Sequence, residues 1–547
     1  MSQPDEWRFS PLTLAVKEDD VGAVKVLVEQ GADVNQADEN GVTPMETAVE
    51  ANNVTMIKGL VECGASIDIL CAGGNNLMHV AVSKGNVSVM RALIELGADL
   101  NNVNNEGATY MHTAAVMGDV AVVRALGEQL GVDINARDKA GATPLYKATQ
   151  SGSVGVITAL YDMGADVNAP NVHGFTPILS ATLRGHVDVI RAFVRLGSDV
   201  NTPLADCIDP NYVGVIPLHI AACEGNVDAI TELVVLGSQV NLPDKSGCSP
   251  LFYAAKKGHV DAIQGLVAAG ANVNTPDNQG VSPVYAAAHG GHVQTVRALV
   301  ELGADVNASD DEDVTPLYTA AQMGHVDVIK ALVELGADVN CLANNGTSPL
   351  HAATDAGHID TIRTLAELGA DINLADHEGV TAMFVAAMIG NADVIRTLYA
   401  LGADINTPFR NGISLVFVAA SEGKADAIRV LAELGVDVNL RDVHGTSPVM
   451  RAADRGHEEA IRALAAAGAN VNTPDNNGIS PVYIAGGEGH VHVIRTLAEL
   501  GANVNTPDCQ GISPVYAAGR WGHVQTIRAL VELGADVNAS DDEDVTP

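Results

Sequence analysis

The sequence predicts an all-α solenoid of stacked helix pairs, and three observations support this prediction. A glycine recurs every 33 residues, for example at Gly247, Gly280, Gly445 and Gly478. Each interval holds two short stretches with helical spacing of apolar residues. Apolar residues make up 47% of the 547 residues and aromatic residues only 3%. The core must therefore consist of small aliphatic side chains, which suit thin and closely packed helices.

The unit from Gly280 to Asn307, GVSPVYAAAHGGHVQTVRALVELGADVN, shows why a first helix forms. Ser282 is a residue type that caps helix N-termini. Pro283 follows at the first helical position, where no N–H group is needed. The Ala-rich segment then continues to Gly290–Gly291, where we expect the helix to stop. Its small side chains allow a neighbouring unit to approach closely.

A second helix is predicted from about Val293 to Leu302, with Gly303 as its C-terminal stop. Its predicted buried stripe, at helical spacing, consists of Val293, Val296, Leu299 and Val300. The segment ADVNASDDED then forms an extended turn, or finger, before the next cap. One unit cannot bury such a stripe alone, so stacking of units must create a continuous core.

These units resemble the ankyrin repeat. The pattern G-x-T-P-L-H-x-A-A is nearly intact in GVIPLHIAACEGN from Gly214 and in GTSPLHAATDAGH from Gly346, and many units close with LGADVN. The resemblance covers roughly residues 8–547 and implies helix-turn-helix units with β-hairpin finger loops. The main departure is Tyr in place of His in the SPVY and TPLY units. This departure changes a polar packing position and leaves the architecture intact.

Sixteen full units and the opening of a seventeenth are predicted. The predicted segments are a leader (1–7), an atypical capping repeat (8–40), repeats (41–201), an extended finger loop (202–213), repeats (214–543) and the start of an incomplete repeat (544–547). Arg8 replaces glycine in the capping repeat. Because the sequence stops just after the cap and first proline of a new unit, we expect either a truncation or a recombination between repeats.

Composition limits the classes of function. The net charge of −37 repels phosphate backbones and anionic lipid surfaces, so we expect no nucleic-acid partner and no membrane insertion. The N-terminus lacks a signal-peptide pattern, and no apolar stretch approaches the length of a membrane span. Seven scattered cysteines fit a reducing compartment. We expect a cytoplasmic protein, with the nucleus as an alternative.

Residue types that carry chemistry have structural explanations here. Eight units contain Gly-His before the second helix, as at His259 and His292, and a helix-start hydrogen bond is favoured over metal binding. The acidic run Ser309–Asp313 lacks the ligand spacing of a calcium loop, so a solvated finger is favoured. Asn307 and Asn340 suit their turns, although ankyrin turns also resemble asparaginyl hydroxylase substrates. We expect no enzyme, no cofactor and no bound metal.

The resemblance implies that partners dock on a concave face, formed by the finger tips and the exposed side of each first helix. A near-duplicate within the chain offers a test, because Asp277–Pro316 and Asp508–Pro547 differ at six of forty positions. Relative to the recurring glycine, the predicted contact positions are the two residues before it, the one after it and the two that close the first helix. Four of the six differences fall at these positions, and the remaining two are mild. The two copies therefore keep their core and vary this face.

Three groups of residues are candidate partner contacts. The first group unites cations and aromatic residues on an otherwise acidic chain: Phe175, Leu183, Arg184, Tyr212, Lys245, Lys256 and Lys257. The second is Arg520 with Trp521, and the third is the apolar set Val380, Met388 and Ile389. Aromatic and Arg residues are frequent interface anchors. The alternative is that Trp521 packs on a neighbouring finger and that the lysines only improve solubility.

The resulting hypothesis is a non-enzymatic scaffold or adaptor, expected to be monomeric, that binds protein partners through the concave surface. A preordered array loses little conformational entropy on binding. The competing hypothesis is the binding arm of a larger kinase, ubiquitin ligase or channel that continues after Pro547. A third is an array of recently copied repeats without a fixed partner.

Overall fold

The computed structural model describes residues 10–71, 74–204 and 213–539. The chain divides into two compact units, Met1–Asn278 and Gln279–Pro547, and each is built from consecutive pairs of short helices. In every pair the first helix has an odd number and the second an even number. Each first helix packs on its own second helix and on the first helix of the next pair within its unit. The predicted all-α solenoid is confirmed.

The helices of the first unit are α1 (Pro11–Lys17), α2 (Val21–Glu29), α3 (Pro44–Glu50), α4 (Val54–Glu62), α5 (Leu77–Ser83), α6 (Val87–Glu95), α7 (Tyr110–Met117), α8 (Val120–Arg124), α9 (Pro144–Ser151), α10 (Val154–Asp162), α11 (Pro177–Leu183), α12 (Val187–Arg195), α13 (Pro217–Cys223), α14 (Val227–Val235), α15 (Pro250–Lys257) and α16 (Val260–Ala268). A π-helical turn, Ala125–Gln129, extends α8.

Those of the second unit are α17 (Pro283–His289), α18 (Val293–Glu301), α19 (Pro316–Met323), α20 (Val326–Glu334), α21 (Pro349–Asp355), α22 (Ile359–Glu367), α23 (Ala382–Ile389), α24 (Ala392–Ala400), α25 (Leu415–Ser421), α26 (Ala425–Glu433), α27 (Pro448–Asp454), α28 (Glu458–Ala466), α29 (Pro481–Gly487), α30 (Val491–Glu499), α31 (Pro514–Arg520) and α32 (Val524–Glu532). A 3₁₀ turn, Arg410–Gly412, precedes α25.

The predicted capping of α17 is confirmed. The hydroxyl of Ser282 accepts a hydrogen bond from the backbone N–H of Tyr285 at 3.2 Å, and α17 begins at Pro283. The C-terminal stop after α18 is also confirmed. Gly303 has φ +98°, and the N–H of Ala304 returns to the carbonyl of Leu299 at 2.9 Å. This bond is the closing bond of a Schellman motif, which satisfies a carbonyl left free at the helix end.

The predicted buried stripe of α18 is partly wrong. Val296 and Leu299 are fully buried, but Val293 and Val300 are only half-buried. Thr295 and Ala298 are buried instead. The small side chains of these two residues let α18 approach α17 and α20 closely, so the buried face is centred on them and the two valines lie at its edges.

The fingers are turns with little strand pairing. Among the described residues, bridges of β type are isolated: Leu70 with Asn76, Ala375 with Thr381, and Phe409 with Ile413. Asp310 shows how a finger is held, since its carboxylate accepts hydrogen bonds from the N–H groups of Glu312 and Val314, both at 2.9 Å. An acidic residue in the Ser309–Asp313 run therefore stabilises the turn itself, in agreement with a solvated finger.

Several of the Gly-His histidines join successive repeats, and none of the eight side chains caps its second helix, which corrects the expected helix-start hydrogen bond. His259 occupies the N-cap of α16 without bonding to it. Its Nε2 bonds instead to the carbonyl of Cys223, at the end of α13 in the preceding repeat, at 2.9 Å. His457 and His490 make the equivalent bond to Ser421 and Asp454, both at 3.0 Å. The imidazole thus satisfies a carbonyl that helix geometry leaves without an internal partner.

The turn asparagines also connect repeats. The amide N–H of Asn472 donates to the carbonyl of Gly501 at 3.1 Å, and its Oδ1 accepts from the N–H of Asn503 at 2.8 Å. Asn307 makes the same pair of bonds to Gly336 and Asp338. Both ends of the amide are therefore used, and this bridging goes beyond the turn preference that the sequence indicates.

Several predicted segments lie outside the described residues: the leader (1–7), the incomplete repeat (544–547) and residues 205–212 of the extended finger. The base of that finger is described, and the N–H of Leu204 donates to the carbonyl of Val215 at 2.8 Å. Throughout the described part of the chain, no helix is long and apolar enough to cross a membrane.

Candidate functional site

Several first helices end with the same change from buried to exposed side chains. In α7, α15, α19 and α23, two fully buried alanines precede the last two residues. These last residues are exposed, apart from a half-buried Ile389, and they differ in chemistry: Val116 and Met117, Lys256 and Lys257, Gln322 and Met323, and Met388 and Ile389. We call the surface formed by these helix ends and the adjoining fingers the finger face.

The first unit has an apolar cavity of about 220 Å³ on its finger face, which we call the Phe175 cavity. Three successive first helices, α11, α13 and α15, contribute to its lining. Its lining residues are Phe175, Leu183, Val215, His219, Ile220, Cys223, Glu224 and Tyr253. Two of the seven residues in the first predicted group, Phe175 and Leu183, therefore line one cavity.

The walls of the Phe175 cavity are part of the core. Val215 and Ile220 belong to a buried cluster with Leu179 and Leu204, and Phe175 packs against this cluster. Leu204 and Val215 are also the two residues paired at the base of the extended finger. Because these walls are anchored in close-packed core, the cavity is formed before any partner binds.

A hydrogen-bonded network supports the floor. His219 accepts from the N–H of Ile216 at 3.1 Å and bonds through Nε2 to the carbonyl of Cys248 at 3.0 Å. Burial lowers the pKa of His219 to about 4, so the ring is neutral near pH 7. The Tyr253 hydroxyl donates to Asp244 at 2.7 Å, and burial together with this bond raises the pKa of Tyr253.

This network has a structural role. Both ring nitrogens of His219 are engaged by backbone groups, so neither is available to accept a proton from a substrate. The carboxylate of Asp244 also accepts from the N–H groups of Ser246 and Cys248, at 2.8 and 2.9 Å, which fixes the adjacent finger. The nucleophile–base pairing that covalent catalysis needs is thus not offered by these groups.

Basic residues flank the Phe175 cavity. Arg184 follows Leu183 and is exposed, while Lys256 and Lys257 are exposed in the last turn of α15. Burial raises the pKa of the Cys223 thiol, and the charges of Lys257 and Lys256 act on it in the opposite direction. Both lysines are therefore within electrostatic reach of a residue that lines the cavity.

The remaining members of the first group are placed differently. Lys245 is exposed on the finger before α15, and its backbone N–H bonds to the carbonyl of Val213 at 3.2 Å. Its carbonyl accepts from the side-chain amide of Asn278 at 3.0 Å. It lies at a finger tip and does not line the Phe175 cavity. Tyr212 lies outside the described residues.

The second predicted group lines another cavity, of about 280 Å³, on the finger face of the second unit; we call it the Trp521 cavity. Helices α29 and α31 form it. Its lining residues are Ile479, Tyr483, Ile484, Gly487, Glu488, Ile512, Tyr516, Ala517, Arg520 and Trp521. Aromatic rings and both signs of charge meet here, whereas the Phe175 cavity is mainly apolar.

Trp521 does not pack on a neighbouring finger, because 68% of its surface is exposed. Its ring lies beside Gly487, where an added Cβ would be 3.9 Å from the indole Cδ1. Burial and the carboxylate of Asp508 raise the pKa of Tyr483 to about 12, and the charge of Arg520 opposes this shift. Arg520 is therefore within electrostatic reach of a second aromatic residue of the same cavity.

The third predicted group is less concentrated. Met388 is 39% exposed, and Val380 and Ile389 are half-buried. The backbone of Val380 is occupied by hydrogen bonds, since its carbonyl accepts from His351 at 3.0 Å. A neighbouring cavity of about 260 Å³ is lined by Phe384 and Phe409 and by none of these three residues.

Sequence reasoning missed the part of the surface contributed by buried and half-buried residues inside the first helices. Ile220 and Tyr253 line the Phe175 cavity, and Tyr483 and Ile484 line the Trp521 cavity. A signal existed for Tyr483, which occupies the repeat position that holds His in the resembled pattern, whereas Phe252 holds that position in the unit of Tyr253. The residue after the finger glycine, at Val215 and Ile512, was a predicted contact position and lines a cavity in both units.

Many basic residues of the second helices pair with an acid in the next repeat. These pairs are Lys25–Glu62, Lys58–Glu95, Arg191–Glu232, Arg297–Glu334, Arg396–Glu433, Arg462–Glu499 and Arg495–Glu532. Cations on the finger face belong to a different set, at the ends of first helices. Within the described ranges, no group of three or more His, Cys, Asp or Glu residues is arranged to hold a metal ion.

Helix pairs with glycine-ended second helices and short fingers define a class of helical repeat solenoid. A family model described as "Ankyrin repeats (3 copies)" matches residues 1–71, 60–138, 128–203, 205–277, 266–343, 285–376, 335–409, 383–475 and 467–541. The chain therefore belongs to the ankyrin repeat family.

A search of curated proteins finds no match. Among solved structures, the chain is similar to the human ASB11 ankyrin repeat domain, with 26% sequence identity and a TM-score of 0.38. That similarity covers 42% of this chain and 99% of the domain.

Proposed function

We propose that this protein is a non-enzymatic scaffold or adaptor that binds other proteins through its finger face, which corresponds to the concave surface of the family. Ankyrin repeats are in general protein–protein interaction modules. The observation that carries the proposal is the change from paired buried alanines to exposed and varied residues at the ends of first helices. A surface under purely structural constraint has no need of Met388 or Trp521 in exposed positions.

The two cavities support the same proposal. Each is lined by the residue after a finger glycine and by residues that close a first helix, and each exposes at least one large apolar side chain, Leu183 at 49% or Trp521 at 68%. Exposed anchors beside preformed pockets are typical of binding hot spots. Because the helices are already ordered, association would cost little conformational entropy.

Site-specific photo-crosslinking tests this proposal. A benzophenone amino acid is placed at Met388 on the finger face or at Tyr399 on the second helix of the same repeat, which are 39% and 44% exposed. A second matched pair is Trp521 and Val524, at 68% and 57%. In extracts of the source cells, we expect discrete adducts from Met388 and Trp521 only. Equal adducts from both helices, or none from the finger face, would contradict the proposal.

A further inference from the structure

We propose that the Phe175 cavity binds one large apolar side chain of an acidic partner segment, which the basic residues at its rim hold by charge. This inference rests on the proposed function and adds the chemistry of the partner. It concerns only the first unit. The described residues that carry it are the cavity lining and three cations: Arg184, Lys256 and Lys257.

The size of the cavity supports a single large side chain. A dry apolar cavity of roughly 150 Å³ binds benzene, and a water molecule takes up about 30 Å³ of liquid. At about 220 Å³, the Phe175 cavity has room for a phenyl- or indole-sized group. Its walls of Phe175, Leu183, Val215 and Ile220 offer such a group apolar contacts on several sides.

The tyrosine hydroxyl and the imidazole nitrogens at the cavity already have partners. The hydroxyl of Tyr253 donates to Asp244, and His219 uses both ring nitrogens in backbone hydrogen bonds. Burial keeps the Cys223 thiol protonated by raising its pKa. A polar side chain entering the cavity would lose water without gaining these partners, so an apolar side chain is favoured.

The positive charges at the rim of the cavity favour particular residues on either side of the inserted side chain in the partner. Arg184 closes α11 at the edge formed by Leu183, while Lys256 and Lys257 end α15 about one turn beyond Tyr253. Glu224 is the one acidic residue in the lining and opposes them. On a chain with a net charge of −37, three cations around an apolar cavity favour carboxylates on either side of the inserted group.

Four synthetic peptides of equal length test this inference with the full chain. The first has Phe between flanking Glu and Asp residues, the second replaces Phe by Ala, the third has neutral flanks around Phe, and the fourth has Lys flanks. Fluorescence anisotropy gives each Kd. We expect the acidic Phe peptide to bind about tenfold or more tightly than the acidic Ala peptide. Neutral flanks should weaken binding, and added salt should weaken only the acidic peptides.

Cys223 reports where the peptide binds. The acidic Phe peptide should slow maleimide labelling of Cys223, measured by mass spectrometry, and leave labelling of the exposed Cys509 unchanged. The variant Leu183→Ala should weaken binding several-fold, because it removes an exposed part of the cavity wall. Arg184→Gln should weaken the acidic peptides and not the neutral one. Lys330→Gln, an exposed position on α20, is the matched control and should change nothing.

The lysines in the last turn of α15 also interact favourably with the helix dipole, so neutralising both of them would destabilise α15 itself. Lys256→Arg with Lys257→Arg keeps both charges and should retain binding. Equal affinities for acidic and neutral Phe peptides, full binding by Arg184→Gln, or no protection of Cys223 at millimolar peptide would each overturn the inference. None of these results affects crosslinking from Met388 or Trp521 in the other unit, so the proposed function is tested separately.

Discussion

Two segments of the second unit have nearly the same sequence. Comparing their structures distinguishes the repeat frame, meaning the helices and their caps, from the finger face, meaning the exposed residues at the ends of first helices. Pro283–Asn307 and Pro514–Asn538 differ at four positions. Both form helices of seven and nine residues, and Ser282 and Ser513 each cap the first helix through a 3.2 Å hydrogen bond. Three of the four differences are consecutive, at the end of the first helix.

Those three positions change the surface without changing the backbone. Ala288, His289 and Gly290 correspond to Gly519, Arg520 and Trp521. Gly290 has φ −77° and ψ −6°, and Trp521 has φ −96° and ψ 0°, so the same conformation carries either residue. In one segment His289 bonds to Thr319 at 3.1 Å, and in the other Trp521 and Arg520 line a cavity. The repeat frame therefore tolerates very different faces.

The largest expected effect tests whether the two segments share their core. Leu299 and Leu530 are both fully buried, so Leu299→Ala and Leu530→Ala should each lower the local free energy of opening by about 2–5 kcal/mol. Hydrogen exchange of peptides that cover each segment measures this free energy. If either variant opened as rarely as the wild type, the two cores would not be equivalent.

The local stability of these two segments should depend less on pH than the local stability of repeats that carry histidine at the equivalent position. Tyr285 and Tyr516 occupy the position that holds His219 in the first unit. The folded-state pKa of His219, about 4, lies below the unfolded value of roughly 6.5. The unfolded chain therefore binds the proton more readily, and stability is lost as the pH falls from about 6.5 towards 4.

Between pH 7 and pH 5 the His219 repeat should lose about 2 kcal/mol of local stability, calculated at 1.36 kcal/mol per pKa unit. Peptides that contain Tyr285 or Tyr516 should lose much less by hydrogen exchange corrected for intrinsic rates. The variant His219→Tyr is the matched control and should remove the dependence. An unchanged dependence in that variant would assign it to other groups.

A smaller effect is expected at the caps. Ser282→Ala and Ser513→Ala each remove one side-chain hydrogen bond to a helix N-terminus, and each should cost about 1 kcal/mol of local stability. Ser282→Asp and Ser513→Asp, which keep an acceptor at the same place, should restore most of it. A large difference between the two segments would show that the caps are not equivalent.

The sequence was sufficient to predict the repeat frame, because the starts and ends of the helices depend on residues close to them in the chain. Ser282 and Gly303 act within a few residues of their own positions, and the structure confirms both. The packing of α18 was harder to predict, because Thr295 and Ala298 are buried by contacts with other helices. The Gly-His residues were misassigned for the same reason, since His325 bonds to a carbonyl 36 residues earlier.

The candidate sites were predictable where the contact positions are local to the repeat. Leu183 and Trp521 follow from their place at the end of a first helix, and both line cavities. Tyr253 and Tyr483 were not predicted as cavity-lining residues, because a cavity forms only where side chains of neighbouring repeats leave space. That space depends on pairs such as Gly487 with Trp521, which are 34 positions apart in the chain.

The smallest expected effect on stability tests most directly whether the residues of the finger face are free of a structural role. Trp521→Gly and Gly290→Trp exchange the residues of the two segments, and we expect each to shift the local free energy of opening by less than about 0.5 kcal/mol. Trp521 is largely exposed, and the backbone at Gly290 is one that tryptophan already adopts at 521. Hydrogen exchange measures both shifts, and acrylamide quenching should show the new indole of Gly290→Trp to be as accessible as Trp521. A loss above about 1 kcal/mol for Trp521→Gly would make this tryptophan part of the packed frame and would remove it from the proposed binding surface. If neither substitution changes the local free energy of opening, packing does not explain the exposed tryptophan, and partner contact becomes the favoured reason for its presence.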